Sequence, residues 1–205
     1  MYEELGIGAV IDRAMAQETT QRTVSLGQAV KAMVLHGLGF VNQQRYLVPS
    51  FFHNKPTARL IGPGIAAAHL NADVLGRALE ALYGSGVTSL YRRIAAQAAQ
   101  RLGLAAQFAH LDTTSFHVDG RDKSTEAPAE QVVHLTQGYS RAHRPDLNQV
   151  MREVIVEQPA GIPLLMKPLS GNTNDQVACG RLITEPVPQL RTAHPLTYLV
   201  ADSAL

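Results

Sequence analysis

The chain contains no tryptophan, and its aromatic residues amount to only 5% of 205 positions. That poverty removes the aromatic platform on which a sugar ring would stack, which argues against a two-carboxylate hydrolase of glycosides. There is a single cysteine, Cys179. It permits neither an internal disulfide nor a cysteine-based zinc site, and is read as a small buried apolar side chain. No uninterrupted apolar run approaches the ~20 residues that a bilayer-spanning helix needs. The opening Met1-Tyr-Glu-Glu-Leu5 is acidic and lacks the basic-then-apolar pattern of a signal peptide. A cytoplasmic protein without a membrane partner is the expectation.

Net charge is also scarce, at +1, but it is unevenly spread. Residues 1–105 hold 10 Lys+Arg against 6 Asp+Glu, or +4; residues 106–205 hold 8 against 11, or −3. A basic first half beside an acidic second half fits a DNA-binding module joined to a carboxylate metal site. Ordinary variation of a solvated surface is the plainer alternative. Hydrophobic residues make up 45% of the chain, enough for one or two domains with a true core.

The first half reads as helices. Residues 2–15 form a short amphipathic segment. Ser25-Leu-Gly-Gln28 matches a capping box and predicts a helix through Ala29, Val30, Met33 and Val34 that stops at Gly37 and Gly39. A short apolar piece spans residues 47–52. Pro56 suits a first helical position, and Gly62-Pro-Gly64 breaks the pattern. Asn71 is placed to cap a stronger helix ending at Gly84. Thr88 is placed to cap the next, which carries Arg92, Arg93 and Arg101 on or beside its polar side. Those arginines are either a solvated face or contacts to DNA phosphates. No helix-turn-helix pattern points to a recognition helix. The period changes at residues 103–107, so a helical domain, residues 1–105, is expected to precede a second domain, residues 106–205.

The second half reads as strands. Phe108-Ala-His-Leu-Asp-Thr-Thr-Ser-Phe-His-Val-Asp-Gly120 is rich in β-branched and aromatic residues and ends in a turn pair. Alternation puts His110, Asp112 and Thr114 on one face, while His117 falls on the other. An acid at mid-strand is expected to lose hydration and to need a partner, either a metal or cation or, as a local device, Thr113 or Thr114. Residues 131–135 make a short strand candidate. Residues 147–157 read as a strand buried on both faces, with residues 162–168 as its hairpin partner. Asp175 is placed to cap a helix, after which residues 196–201 form a last strand ending at Asp202. A right-handed crossover through that helix would leave the last strand parallel to its neighbour. The expected fold is α+β, with a β, β, β, α, β second domain.

Four blocks in this order carry a resemblance: His110-Leu-Asp-Thr-Thr-Ser-Phe-His117, Gly138-Tyr-Ser-Arg-Ala-His-Arg-Pro-Asp-Leu147, Gly171-Asn-Thr-Asn-Asp175 and Val200-Ala-Asp-Ser-Ala204. Together they resemble the bacterial insertion-sequence transposases of the DDE type. The helical stretch with Gly37-Leu-Gly-Phe-Val-Asn42 resembles the domain that precedes the core in one subgroup. The resemblance implies a ribonuclease-H-like core, DNA cleavage and strand transfer, and two Mg²⁺ (or Mn²⁺) ions. Asp112 would bridge the ions and Asp202 would hold one; both would be catalytic. Arg92, Arg93, Arg101, His143 and Arg144 would contact DNA. The partners implied are transposon ends and target DNA, and a further copy of the chain, at the bacterial nucleoid.

The departure from the family is its third acid, a glutamate within a Tyr-x2-Arg-x3-Glu-x6-Lys pattern that no segment here fits. The chain is therefore expected to be an inactive N-terminal part of such an enzyme. The competing class is a non-catalytic DNA-binding or interaction protein that could modulate a full-length transposase.

Overall fold

A computed structural model describes residues 1–15, 22–38, 47–104, 107–119, 133–139, 143–158, 160–174 and 198–201. The protein is α+β and divides into two compact units, Met1–Arg101 and Leu102–Leu205. Asp175, Cys179, Asp202, Leu205 and the expected crossover helix lie outside the described residues.

Every regular element described in the first unit is helical: α1 (Ile7–Ala14), α2 (Leu26–Gly37), α3 (Val48–Phe52), α4 (Thr57–Leu60), a 3-10 turn (Ala67–Leu70), α5 (Ala72–Gly84) and α6 (Val87–Arg101). The capping box forms as its residue types require. Ser25 Oγ accepts from Gln28 N–H, and Gln28 Oε1 accepts from Ser25 N–H. Asn71 Oδ1 accepts from Val74 N–H and so starts α5. Pro56 stands just before α4 and is not its first residue. Helix α6 begins at Val87, so Thr88 lies inside it; Gly86, at φ 79°, supplies the left-handed turn that the entry needs. The apolar faces meet in one core around Ile11, Phe52, Leu70 and Leu75, all at most 1% exposed.

Helices α1 and α2 cross almost backbone to backbone. A Cβ on Gly27 would lie 2.6 Å from the Gly8 carbonyl oxygen and 2.7 Å from Gly8 Cα. Asp12 closes the same corner, with Oδ2 accepting from Ser25 Oγ–H and Oδ1 from Gly27 N–H.

The second unit is a mixed four-stranded sheet in the order β3-β2-β1-β4, from β1 (Phe108–Val118), β2 (Asn148–Gln158), β3 (Pro163–Ser170) and β4 (Tyr198–Ala201). The pairs β1–β2 and β2–β3 are antiparallel and β1–β4 is parallel. The parallel setting of β4 is the one expected of the last strand in a partial ribonuclease-H-like core. A parallel neighbour cannot be reached by a tight turn, which agrees with the long connection between β3 and β4.

Two strand expectations need correction. Residues 133–135 form no strand; His134 N–H donates to Ser170 Oγ and its carbonyl accepts from Gly171 N–H, and next to them Thr136 makes an isolated bridge to Gln149. Strand β2 is not buried on both faces. Its fully buried face is Gln149, Met151, Glu153, Ile155 and Glu157, while Val150, Val154 and Val156 are half-buried. The ladder decides this. Ile155 pairs with Leu111 and Leu165, the apolar centre of the sheet, and period two then carries both glutamates inward. A bulge between Ile155 and Val156 lets both Leu164 and Leu165 enter that core.

Candidate functional site

Asp112 stands in the middle of β1, opposite Val154 of β2. The face it shares with Phe108, His110 and Phe116 is the exposed one, so the carboxylate keeps its hydration, contrary to expectation. The buried face of β1 belongs instead to Ala109, Leu111 and Thr113. Asp112 Oδ1 accepts from Thr113 N–H at 2.8 Å. That bond fixes one oxygen and leaves Oδ2 without a hydrogen bond among the described residues.

The neighbourhood of Asp112 is polar at one end and aromatic at both. His110 Nε2 sits 2.8 Å from Gln158 Oε1 on the same face. Phe108 stacks on Tyr198 of β4, with centroids 5.0 Å apart and planes 16° apart. Arg152 lies on this face of β2, its guanidinium 4.8 Å from the Phe116 ring centroid. His117 points to the opposite face, as alternation requires.

The parallel ladder pairs Phe108 with Tyr198, Ala109 with Leu199, His110 with Val200 and Leu111 with Ala201. It ends one residue before Asp112 on β1 and one residue before Asp202 in the sequence. Leu199 packs against the sheet core, whereas Tyr198 and Val200 are exposed. Among the described residues no group of three or more His, Cys, Asp or Glu side chains comes together.

The remaining residues expected at DNA are divided between the two units. In the loop before β2, Arg144 grips Asp146 with two bonds, Nε to Oδ1 at 2.9 Å and Nη2 to Oδ2 at 2.7 Å. The guanidinium holds the Asp146 carboxyl below the ordinary carboxylate range, and Asp146 raises Arg144 in return. His143 takes a left-handed backbone, φ 57°, next to that pair. On α6, Arg93 is exposed and Arg92 half-buried. Arg101 donates to the Glu4 carbonyl, and Gln97 Nε2 donates to the carbonyls of Leu5 and Gly6. Arg101 thus helps to hold the N-terminal segment on α6.

One residue that sequence reasoning passed over is Gln149. It is 2% exposed, and its Nε2 donates to the carbonyls of Tyr139 and Gly171. It therefore joins the Gly138 and Gly171 blocks, which are far apart in sequence. Both glycines are needed there. A Cβ on Gly138 would collide with the Gly171 carbonyl, and one on Gly171 with the carbonyls of Gln149 and Thr136. A glutamine between Asn148 and Val150 at the start of a strand is an ordinary residue, and only the two Gly-led blocks hinted at close backbone approach.

No helix among the described residues is long and apolar enough to cross a membrane. No curated protein and no solved structure matches the chain. A family model described as a domain of unknown function, DUF4277, matches residues 1–96, within the helical unit.

Proposed function

We propose that the second unit is the metal-binding core of a DDE-type transposase that acts on DNA phosphodiesters, with Asp112 and Asp202 as its paired carboxylates. One observation carries the reading: β1 and β4 are adjacent and parallel, and their ladder ends at Leu111 opposite Ala201, one residue short of each aspartate. Neighbouring parallel strands bring like-numbered side chains to one face, the placement that a shared metal needs.

The donor chemistry fits Mg²⁺ or Mn²⁺. Asp112 offers a hard, hydrated oxygen, and its second oxygen is held by the Thr113 N–H, which limits the rotation of the carboxylate. Bound divalent ions would activate an attacking oxygen and stabilise a leaving one in an in-line displacement at phosphorus. Asp112 and Asp202 hold and orient; Arg93, Arg92 and His143 supply positive or titratable groups for the DNA backbone; Arg144 serves there by exchanging Asp146 for phosphate. Transposon ends and target DNA are the partners, with a second copy of the chain to bring two ends together. The compartment is the bacterial cytoplasm, at the nucleoid.

The experiment is a Mn²⁺ titration of the full chain followed by electron paramagnetic resonance, with Asp112→Asn as the variant. Wild type is expected to bind Mn²⁺, and Asp112→Asn to lose at least about tenfold in affinity, the usual scale for a lost ligand or its support. Equal binding by the two proteins would remove Asp112 from the site. That result would favour the second reading, a non-catalytic DNA-binding protein in which Asp112 merely bonds Thr113. The chain alone is expected not to nick supercoiled DNA with Mg²⁺, because no segment fits the pattern of the third acid and one ion would be poorly ligated.

A further inference from the structure

A cavity of about 570 Å³ lies in the first unit, where the beginnings of α2 and α5 converge. Its volume falls in the range of small-molecule sites. Three side chains on its wall are cationic or can become so: Arg22, His69 and Arg77; no acidic residue lines it. The floor is apolar, from buried residues such as Val24, Leu26 and Ala78. The wall therefore has two chemistries, one for an anion and one for an uncharged body.

The polar side is built from independent parts. Arg77 is exposed on α5 and has no hydrogen bond or ion pair among the described residues. His69 Nδ1 accepts from Ala66 N–H at 3.2 Å, which leaves Nε2 as the protonated nitrogen of the neutral ring and hence a donor. Ser25 and Asn71, the caps of α2 and α5, both line the cavity. The start of α5, a helix of 13 residues, opens toward this space, whereas that of α2 is already engaged by the Asp12 carboxylate through Gly27 N–H and Ser25 Oγ–H. Asp73 and Glu80, the acids of α5, do not line it.

We propose that this cavity binds a nucleoside monophosphate group, with the phosphate on Arg77, His69 and the start of α5 and the nucleoside on the apolar floor. An arginine fork and a helix N-terminus suit phosphate oxygens, and a cavity of this size has room for the base and sugar. The group comes either from a free nucleotide or from the 5′-phosphorylated end of a DNA strand. The site draws every lining residue from the first unit, so the proposal holds whether or not the second unit binds metal.

The test is calorimetric titration of the full chain with thymidine 5′-monophosphate, thymidine and inorganic phosphate. The monophosphate is expected to bind, and each of the two fragments to bind at least about tenfold more weakly, since each satisfies one half of the site. Arg77→Ala should weaken the monophosphate about tenfold, the loss of one charge-assisted contact, and Arg77→Lys by less. Arg77 is exposed in mid-helix and alanine favours helix, so the variant keeps the fold. Single-stranded oligothymidylate with and without a 5′-phosphate separates the sources: preference for the phosphorylated strand assigns a DNA end, and equal weak binding assigns a free nucleotide. The proposal is overturned if the monophosphate produces no binding at millimolar concentration, if thymidine binds as tightly, or if Arg77→Ala changes nothing.

Discussion

Tyr2 shows how one side chain can join an N-terminal segment to the core. Its hydroxyl donates to the Gly27 carbonyl at 2.8 Å, at the crossing of α1 and α2. Burial pushes the phenol above its ordinary value of 10.0, and the carboxylates of Asp12 and Glu3 push it further. The folded chain therefore holds this proton more tightly than the unfolded chain. Its contribution to stability is complete below about pH 10, the unfolded value, and is lost as pH rises toward the higher folded one. An alkaline titration read by tyrosinate absorbance should show one of the six tyrosines ionising after the rest, or only on unfolding. In Tyr2→Phe that late tyrosine should be missing. A late tyrosine that persists in the variant would assign the shift to another residue.

At the scale of elements, two helical glycines with the same local chemistry should respond in opposite directions. Gly27 lies in α2 with the Gly8 backbone where its Cβ would be, whereas the Cβ position of Gly76, inside α5, has open space around it. Gly76→Ala should stabilise by about 0.5–1 kcal/mol, because alanine restricts the unfolded chain and prefers helix. Gly27→Ala carries the same propensity gain but must separate two backbones, and overpacking of that kind costs roughly 1–3 kcal/mol. Urea unfolding midpoints should move up for Gly76→Ala and down for Gly27→Ala. A rise in both would mean that the crossing can open without loss. In the sheet a side chain makes a further tie: Glu157 Oε1 accepts from Ile162 N–H and holds the β2–β3 turn from the buried face.

For the whole molecule the relevant quantity is the uneven charge, +4 in residues 1–105 and −3 in residues 106–205. A basic unit with exposed Arg93 is expected to bind duplex DNA weakly and without sequence preference. In gel-shift titrations of the full chain, affinity should fall steeply as salt rises, and Arg93→Ala should lower the slope of log affinity against log salt by about one. Arg101→Ala should instead act through stability, because Arg101 bonds the Glu4 carbonyl. Absence of a shift at low ionic strength would take DNA away from this chain.

The sequence by itself determined the α+β class, the Ser25 and Asn71 caps and the β2–β3 hairpin, because those depend on residues within a few positions of one another; the cap expected at Thr88 did not form. Ser25 with Gln28, and Asn71 with Val74, need only a helical turn to meet. The candidate site was legible in part. Alternation placed Asp112, His110 and Phe116 on one face, but it could not say which face of β1 is open to water. Nor could local pattern tell that β2 turns Glu153 and Glu157 inward, that Gln149 joins two distant glycine blocks, or that Arg101 serves the N-terminal segment. Strand register and long-range contact decide these points: a shift of one residue exchanges the two faces of a strand, and only the packing of Leu111, Ile155 and Leu165 into one core selects between them.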